Sequence, residues 1–113
     1  MRADPGSNVA LTVPRADHAK IVELFGQILG FHCEKSGEDS VKIAFGHVTI
    51  WLDAADIDHP TFSFEINVND PAIFASTVQS QAYRFSSVNW GDENGYWLET
   101  DFFPRILVSH HWK

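Results

Sequence analysis

Thr61 to Val68 alternates without a break: Phe62, Phe64, Ile66 and Val68 fall on one side, Thr61, Ser63, Glu65 and Asn67 on the other. Side chains of period two describe a strand whose faces meet different surroundings, one of them an apolar core. Asn69-Asp70-Pro71 supplies a cap and a proline suited to the first helical position. That predicts a helix to about Gln81 with Ile73, Phe74, Thr77 and Val78 turned inward. A strand feeding directly into a helix restricts the chain to architectures in which the helix packs on the apolar sheet face. Beyond it, Tyr83 to Trp90 reads as a strand and Gly91 to Gly95 as a polar turn, with Tyr96 to Asp101 and Arg105 to His110 as a closing pair.

The first half of the chain has the same order. Asn8 to Val13 alternates, Pro14 stops it, and a helix is predicted from about Ala16 to Leu29, its buried stripe formed by Ile21, Val22, Phe25, Ile28 and Leu29. Gly30 is placed to end that helix in a left-handed conformation. Phe31 to Lys35 is the next strand and Ser36 to Asp39 a turn, followed by Val41, Ile43 and Phe45 as the apolar face of a third strand. After the Gly46 hairpin, Val48, Ile50 and Leu52 oppose Thr49, Trp51 and Asp53, and Ala54 to Pro60 reads as a linker. Residue identity between the halves is negligible, so the repeat rests on element order and spacing. The expected fold is α+β: two βαβββ modules in tandem, at about residues 8–53 and 61–112. Each would be a four-stranded mixed sheet with one helix, the two free mixed faces together enclosing a cleft. Residues 1–7 are expected to be a disordered tail, and residues 8–113 a single domain.

Composition narrows the function. In 113 residues the net charge is −7, and the eight Lys and Arg occur without a run that could neutralise consecutive phosphates, which argues against a nucleic-acid partner. Trp51 and Trp97 could stack on a planar ligand, and an acidic interior would suit a cationic one. No apolar run approaches a membrane span, and Met1 to Ser7 lacks the apolar core of a signal peptide. The single cysteine, Cys33, has no partner for an internal bridge and fits a reducing setting, so a cytoplasmic location is expected. There is no Gly-rich phosphate loop, no nucleophile elbow and no Cys pair with metal spacing.

Three stretches carry a family resemblance: the strand Asn8-Val9-Ala10-Leu11-Thr12-Val13, the helix end Phe25-Gly26-Gln27-Ile28-Leu29-Gly30-Phe31, and Gly95 to Val108. Together they resemble the vicinal oxygen chelate superfamily of glyoxalases, bleomycin-resistance proteins and extradiol dioxygenases. The resemblance implies a small-molecule ligand and a homodimer. In metal-using members it also implies a divalent ion held by His, Gln or Glu from the first strand of each module, the fourth strand and the last strand. Asn8, Ser63 and Val108 take three of those places here, and none is a good ligand. The turn before the last strand, Asp101-Phe102-Phe103-Pro104-Arg105, keeps only the Asp of the family's pattern. The expectation is therefore a small-molecule-binding protein without a cofactor or the usual metal.

Alternation sets Thr49, Trp51, Asp53, Ser63, Glu65, Val108 and His110 opposite the apolar stripes. Trp51, Ser63, Glu65, Trp97 and Val108 are the expected ligand contacts. Glu65 and His110 are the candidates for acid or base work. One alternative is a metal-dependent lyase, isomerase or dioxygenase with a rearranged site on Asp53, Glu65 and His110. The other is a non-catalytic interaction module in which Trp51 and Trp97 only pack.

Overall fold

The computed structural model describes residues 2–80, 83–87, 95–101 and 103–109. The chain divides into two compact units, Ser7–Phe62 and Met1–Gly6 with Ser63–Lys113. The fold is α+β and consists of two βαβββ modules. Among the described residues no helix is long and apolar enough to cross a membrane.

In the first unit, strand β1 (Ala3–Pro14, counted from Ser7) leads through a 3-10 turn into helix α1 (His18–Glu23), which continues as a π-helical turn over Leu24–Ile28. Strands β2 (Cys33–Lys35), β3 (Ser40–Phe45) and β4 (Val48–Ala55) follow. β4 pairs parallel with β1 and antiparallel with β3, and β3 pairs antiparallel with β2. The core is Val13, Ile43 and Leu52, packed by Leu11, Ile50 and the helical Ile21, Val22 and Phe25. Each such side chain, fully buried, contributes on the order of 1.5–3 kcal/mol.

The helix departs from the expected stripe at its end. Ile28 and Leu29 are 68% and 54% exposed rather than inward. The Leu29 N–H donates to Leu24 O at 2.9 Å, a five-residue closure, so each residue of the widened turn falls behind the helical period and the last two leave the buried face. Gly30, at φ 81°, ends the helix as expected, and the Phe31 N–H donates back to Phe25 O at 2.9 Å. Two further expectations are corrected: β4 runs on to Ala55, into the supposed linker, and β2 begins only at Cys33. Arg15 bonds Asp39 at 2.5 Å and Asp56 at 3.1 Å, tying the β2–β3 turn to the segment after β4. The Asp39 bond, then that of Asp56, holds its guanidinium above its usual range.

The second unit contains β5 (Thr61–Val68, counted from Ser63), α2 (Pro71–Ser80), β6 (Arg84–Ser87), β7 (Tyr96–Glu99) and β8 (Ile106–Ser109). β5 pairs parallel with β8, and β8–β7 and β7–β6 are antiparallel, the same topology as in the first unit. The cap read from the sequence is present: Asp70 Oδ1 accepts from the Ile73 N–H at 3.0 Å, with Pro71 at the first helical position. Of the residues expected to turn inward, Phe74 is buried, packing with Val68, Leu98 and Val108, while Ile73 is 51% exposed and Thr77 is exposed. Thr77 Oγ1 instead donates to Ile73 O at 2.8 Å.

Residues 3–7, expected to be a disordered tail, are the first residues of β1. Ala3–Gly6 belongs to the second unit, beside β5. The Arg2 N–H donates to Asn69 Oδ1 at 2.9 Å and the Asn69 N–H to Arg2 O at 3.2 Å, so the segment is fixed by backbone pairing that its Pro and Gly content did not suggest. Trp90, His110, His111, Trp112 and the polar turn at 91–94 lie outside the described residues.

Candidate functional site

Opposite α2, the strands of the second unit present a polar face whose layout follows from their register. Glu65 pairs with Leu107, Leu107 with Trp97, and Trp97 with Ser86, making one row across four strands. Asn67 beside Ser109 begins the next row, and Glu99 beside Arg84 lies in the row on the other side. Half-buried Leu107 is thus an apolar floor, flanked by Glu65 and Trp97.

Three polar residues of this face are buried: Ser63 at 4%, Glu65 at 6% and Ser109 at 3% exposure. Ser109 Oγ donates to Glu65 Oε2 at 2.7 Å, a charge-assisted bond that holds the carboxylate in place. Gly6 makes room for it. A Cβ at Gly6 would lie 2.3 Å from Glu65 Oε1 and 2.4 Å from its Cγ, so the backbone passes where only a glycine fits. Asn67 Oδ1 is buried and has no hydrogen-bond partner among the described residues. Across Leu107, the Arg105 guanidinium lies over the Trp97 ring, 3.9 Å from its centroid. Arg84 is instead neutralised by Asp101 at 2.8 Å and Glu99 at 3.9 Å.

The corresponding face of the first unit carries Asn8, Trp51 and Asp53 on adjoining positions of β1 and β4. Trp51 Nε1 donates to Asn8 Oδ1 at 2.8 Å, and Lys42 Nζ lies 4.9 Å from the Trp51 ring centroid. Ser40 Oγ donates to Asp53 Oδ1.

Of the residues expected to contact a ligand, Ser63, Glu65 and Trp97 share one face of the second unit, and Trp51 lies in the first. Val108 is corrected. It is fully buried in the apolar cluster with Val68, Phe74 and Leu98, on the helix side of the sheet. Ile106-Leu107-Val108 is a continuous apolar run, so alternation could not assign its faces; pairing with β5 does, and it brings Leu107 and Ser109 to the polar side. Ser109, Gly6 and Arg105 were not anticipated as parts of the site. A glycine inside a strand was the available signal for Gly6.

The places implied for a divalent ion do not suit one. Asn8 is engaged by the Trp51 indole, Ser63 offers a neutral hydroxyl, and Val108 is aliphatic and faces the core. For the rearranged site, Asp53 is bonded by Ser40 and Glu65 by Ser109, while His110 lies outside the described residues. Among the described residues no three His, Cys, Asp or Glu side chains group as a metal site requires.

Solved structures with the same architecture include extradiol dioxygenases. Homoprotocatechuate 2,3-dioxygenase of Arthrobacter globiformis matches over 94% of this chain and 35% of its own, at 16% identity and a TM-score of 0.68. An extradiol ring-cleaving dioxygenase of B. fuscum matches over 96% and 33%, at 15% identity and a TM-score of 0.71. The Brevibacterium fuscum homoprotocatechuate 2,3-dioxygenase complexed with 3,4-dihydroxyphenylacetate matches over 96% and 36%, at 14% identity and a TM-score of 0.69. The chain therefore spans about a third of the length of these enzymes, and at such identity the likeness is one of fold. No protein-family model and no curated protein matches the sequence. What the likeness shows is a fold shared with these extradiol dioxygenases, and in this chain the second module presents a polar sheet face.

Proposed function

We propose that this protein binds a small molecule on the polar face of its second sheet, over Leu107 and between Glu65 and Trp97, without a divalent metal or other cofactor. The observation that carries the reading is the burial of Ser63, Glu65 and Ser109 together on the sheet face turned away from α2, whose Phe74 packs on the other side. A solvated edge would leave such groups in water, whereas a binding site holds a few fixed polar groups around an apolar floor. Trp51 lies in the first unit with its indole N–H taken by Asn8, whereas Trp97 shares the row of Glu65 and Leu107 and is the aromatic residue of this face. Extradiol dioxygenases support the ligand class through a shared fold, and their metal chemistry is not carried over because the donor residues differ.

The free thiol of Cys33 supports a cytoplasmic setting. The exposed Leu24, Ile28 and Leu29 at the end of the first helix support a homodimer.

Elemental analysis of the purified protein, paired with thermal melts across a metabolite panel, tests the reading. The expected result is substoichiometric metal together with a raised melting temperature for a subset of compounds, an effect lost in Glu65→Gln. Near-stoichiometric divalent metal that disappears in Glu65→Ala would overturn the metal-free part and favour an enzyme with a rearranged site. A panel without effect would leave an interaction module as the better account.

A further inference from the structure

We infer that Arg105, stacked on Trp97, is the recognition group for an organic anion, a carboxylate or a phosphate. The same ligand would lie over Leu107 and direct a hydrogen-bond donor toward Asn67 and Glu65. The inference rests on the small-molecule reading above and adds the charge and polarity of the ligand.

Two arginines project on this face, and they differ in what they do. Arg84 is held between Asp101 and Glu99, so its charge is met within the protein. Arg105 has no carboxylate within ion-pair distance among the described residues, and its guanidinium carbon lies over the Trp97 indole, 3.9 Å from the ring centroid. A guanidinium held over an indole keeps N–H groups to offer a planar anion in the bidentate geometry that arginine provides and lysine does not. In a chain of net charge −7 a local cation so exposed is the group through which an anion would be held, which reverses the expectation of a cationic ligand.

The far side of the floor has the opposite polarity. Glu65 is an acceptor already oriented by Ser109, and the Asn67 amide has a buried oxygen without a partner among the described residues. An unmet buried acceptor costs about 1–3 kcal/mol, so a donor brought by a ligand is favoured there. Trp97 and Glu65 are separated by two strand spacings across Leu107, roughly 10 Å between backbones. Allowing for the side chains, the gap suits a molecule about the size of one aromatic ring bearing a small acid group, which would keep its anionic end away from Glu65.

Titration of the 15N-labelled full-length chain with benzoate, phenyl phosphate and benzylamine tests this. Benzoate or phenyl phosphate is expected to shift the Trp97 indole and Asn67 side-chain resonances saturably, and the tighter of the two assigns the anion. Benzylamine should leave them unmoved. Arg105→Gln should abolish the shifts, and Arg105→Lys should weaken binding about tenfold because charge alone does not restore the fork. Arg105 is exposed, so an otherwise unchanged spectrum verifies the fold of each variant. Anion-induced shifts that persist in Arg105→Gln, or binding by benzylamine alone, would overturn the inference. If benzylamine or a neutral compound binds and Glu65→Gln abolishes it, the small-molecule reading stands while the anion assignment falls. If no compound perturbs this face, both fall.

Discussion

The two modules share a topology but have used their polar sheet faces differently. Each carries a tryptophan under a cation, Trp51 under Lys42 and Trp97 under Arg105. In the first, the indole N–H is taken by Asn8 and the neighbouring carboxylate, Asp53, by Ser40, so hydrogen bonding closes within the module. In the second, Glu65 is buried and braced by Ser109, yet the adjacent Asn67 amide is left without a partner among the described residues, and the arginine on the tryptophan has no carboxylate there either. Buried polar groups are almost always paired. A face that pairs its own groups stabilises a fold, whereas one with unmet groups on an apolar floor has its remaining interactions to make with something else.

The largest effect should come from reversing the faces of β8. Val108→Glu, which installs the residue type expected of a metal-using relative, would bury a carboxylate among Val68, Phe74 and Leu98 and should cost roughly 4 kcal/mol or more in chemical denaturation. Leu107→Glu, one residue earlier on the polar side, should leave the protein folded. A folded Val108→Glu variant that gains a metal would show that the strand register, and with it the whole layout of the second face, is misassigned.

Next in size is the contact under Glu65. Gly6→Ala forces a Cβ into the Glu65 side chain and should destabilise by about 1–3 kcal/mol, the usual range for overpacking. In a Glu65→Ala background the same change should cost measurably less, since the Oε1 and Cγ atoms it would meet are gone. Equal costs in the two backgrounds would mean that the strand start and the carboxylate do not share this space, weakening the case that Glu65 is held for a purpose.

The elements legible in the sequence were those set by local rules. Thr61–Val68 is a strand with the bounds its alternation gave, and Asp70 caps α2 as its chemistry required. What failed depended on partners distant in sequence. Ile28 and Leu29 fit a helical stripe, but a π turn carries them out of it. Val108 could belong to either face until β5 fixed the register. Glu65 and Ser63 were found because polar residues on a strict strand are conspicuous. Ser109 and Arg105 act through cross-strand and stacking contacts that no spacing rule encodes.

The smallest effect tests the first module. Asn8→Ala removes the acceptor of the half-buried Trp51 N–H, and a half-buried indole with no replacement partner should cost about 1 kcal/mol. The Trp51 indole resonance should move upfield as the bond is lost, while the response of Trp97 to benzoate or phenyl phosphate stays as in the parent protein. That separation follows if the Asn8–Trp51 bond is structural and the Arg105–Trp97 contact a recognition element. If Asn8→Ala weakened anion binding as strongly as Arg105→Gln, the two tryptophans would share one task, and the contrast between a closed face and an open one would have to be abandoned.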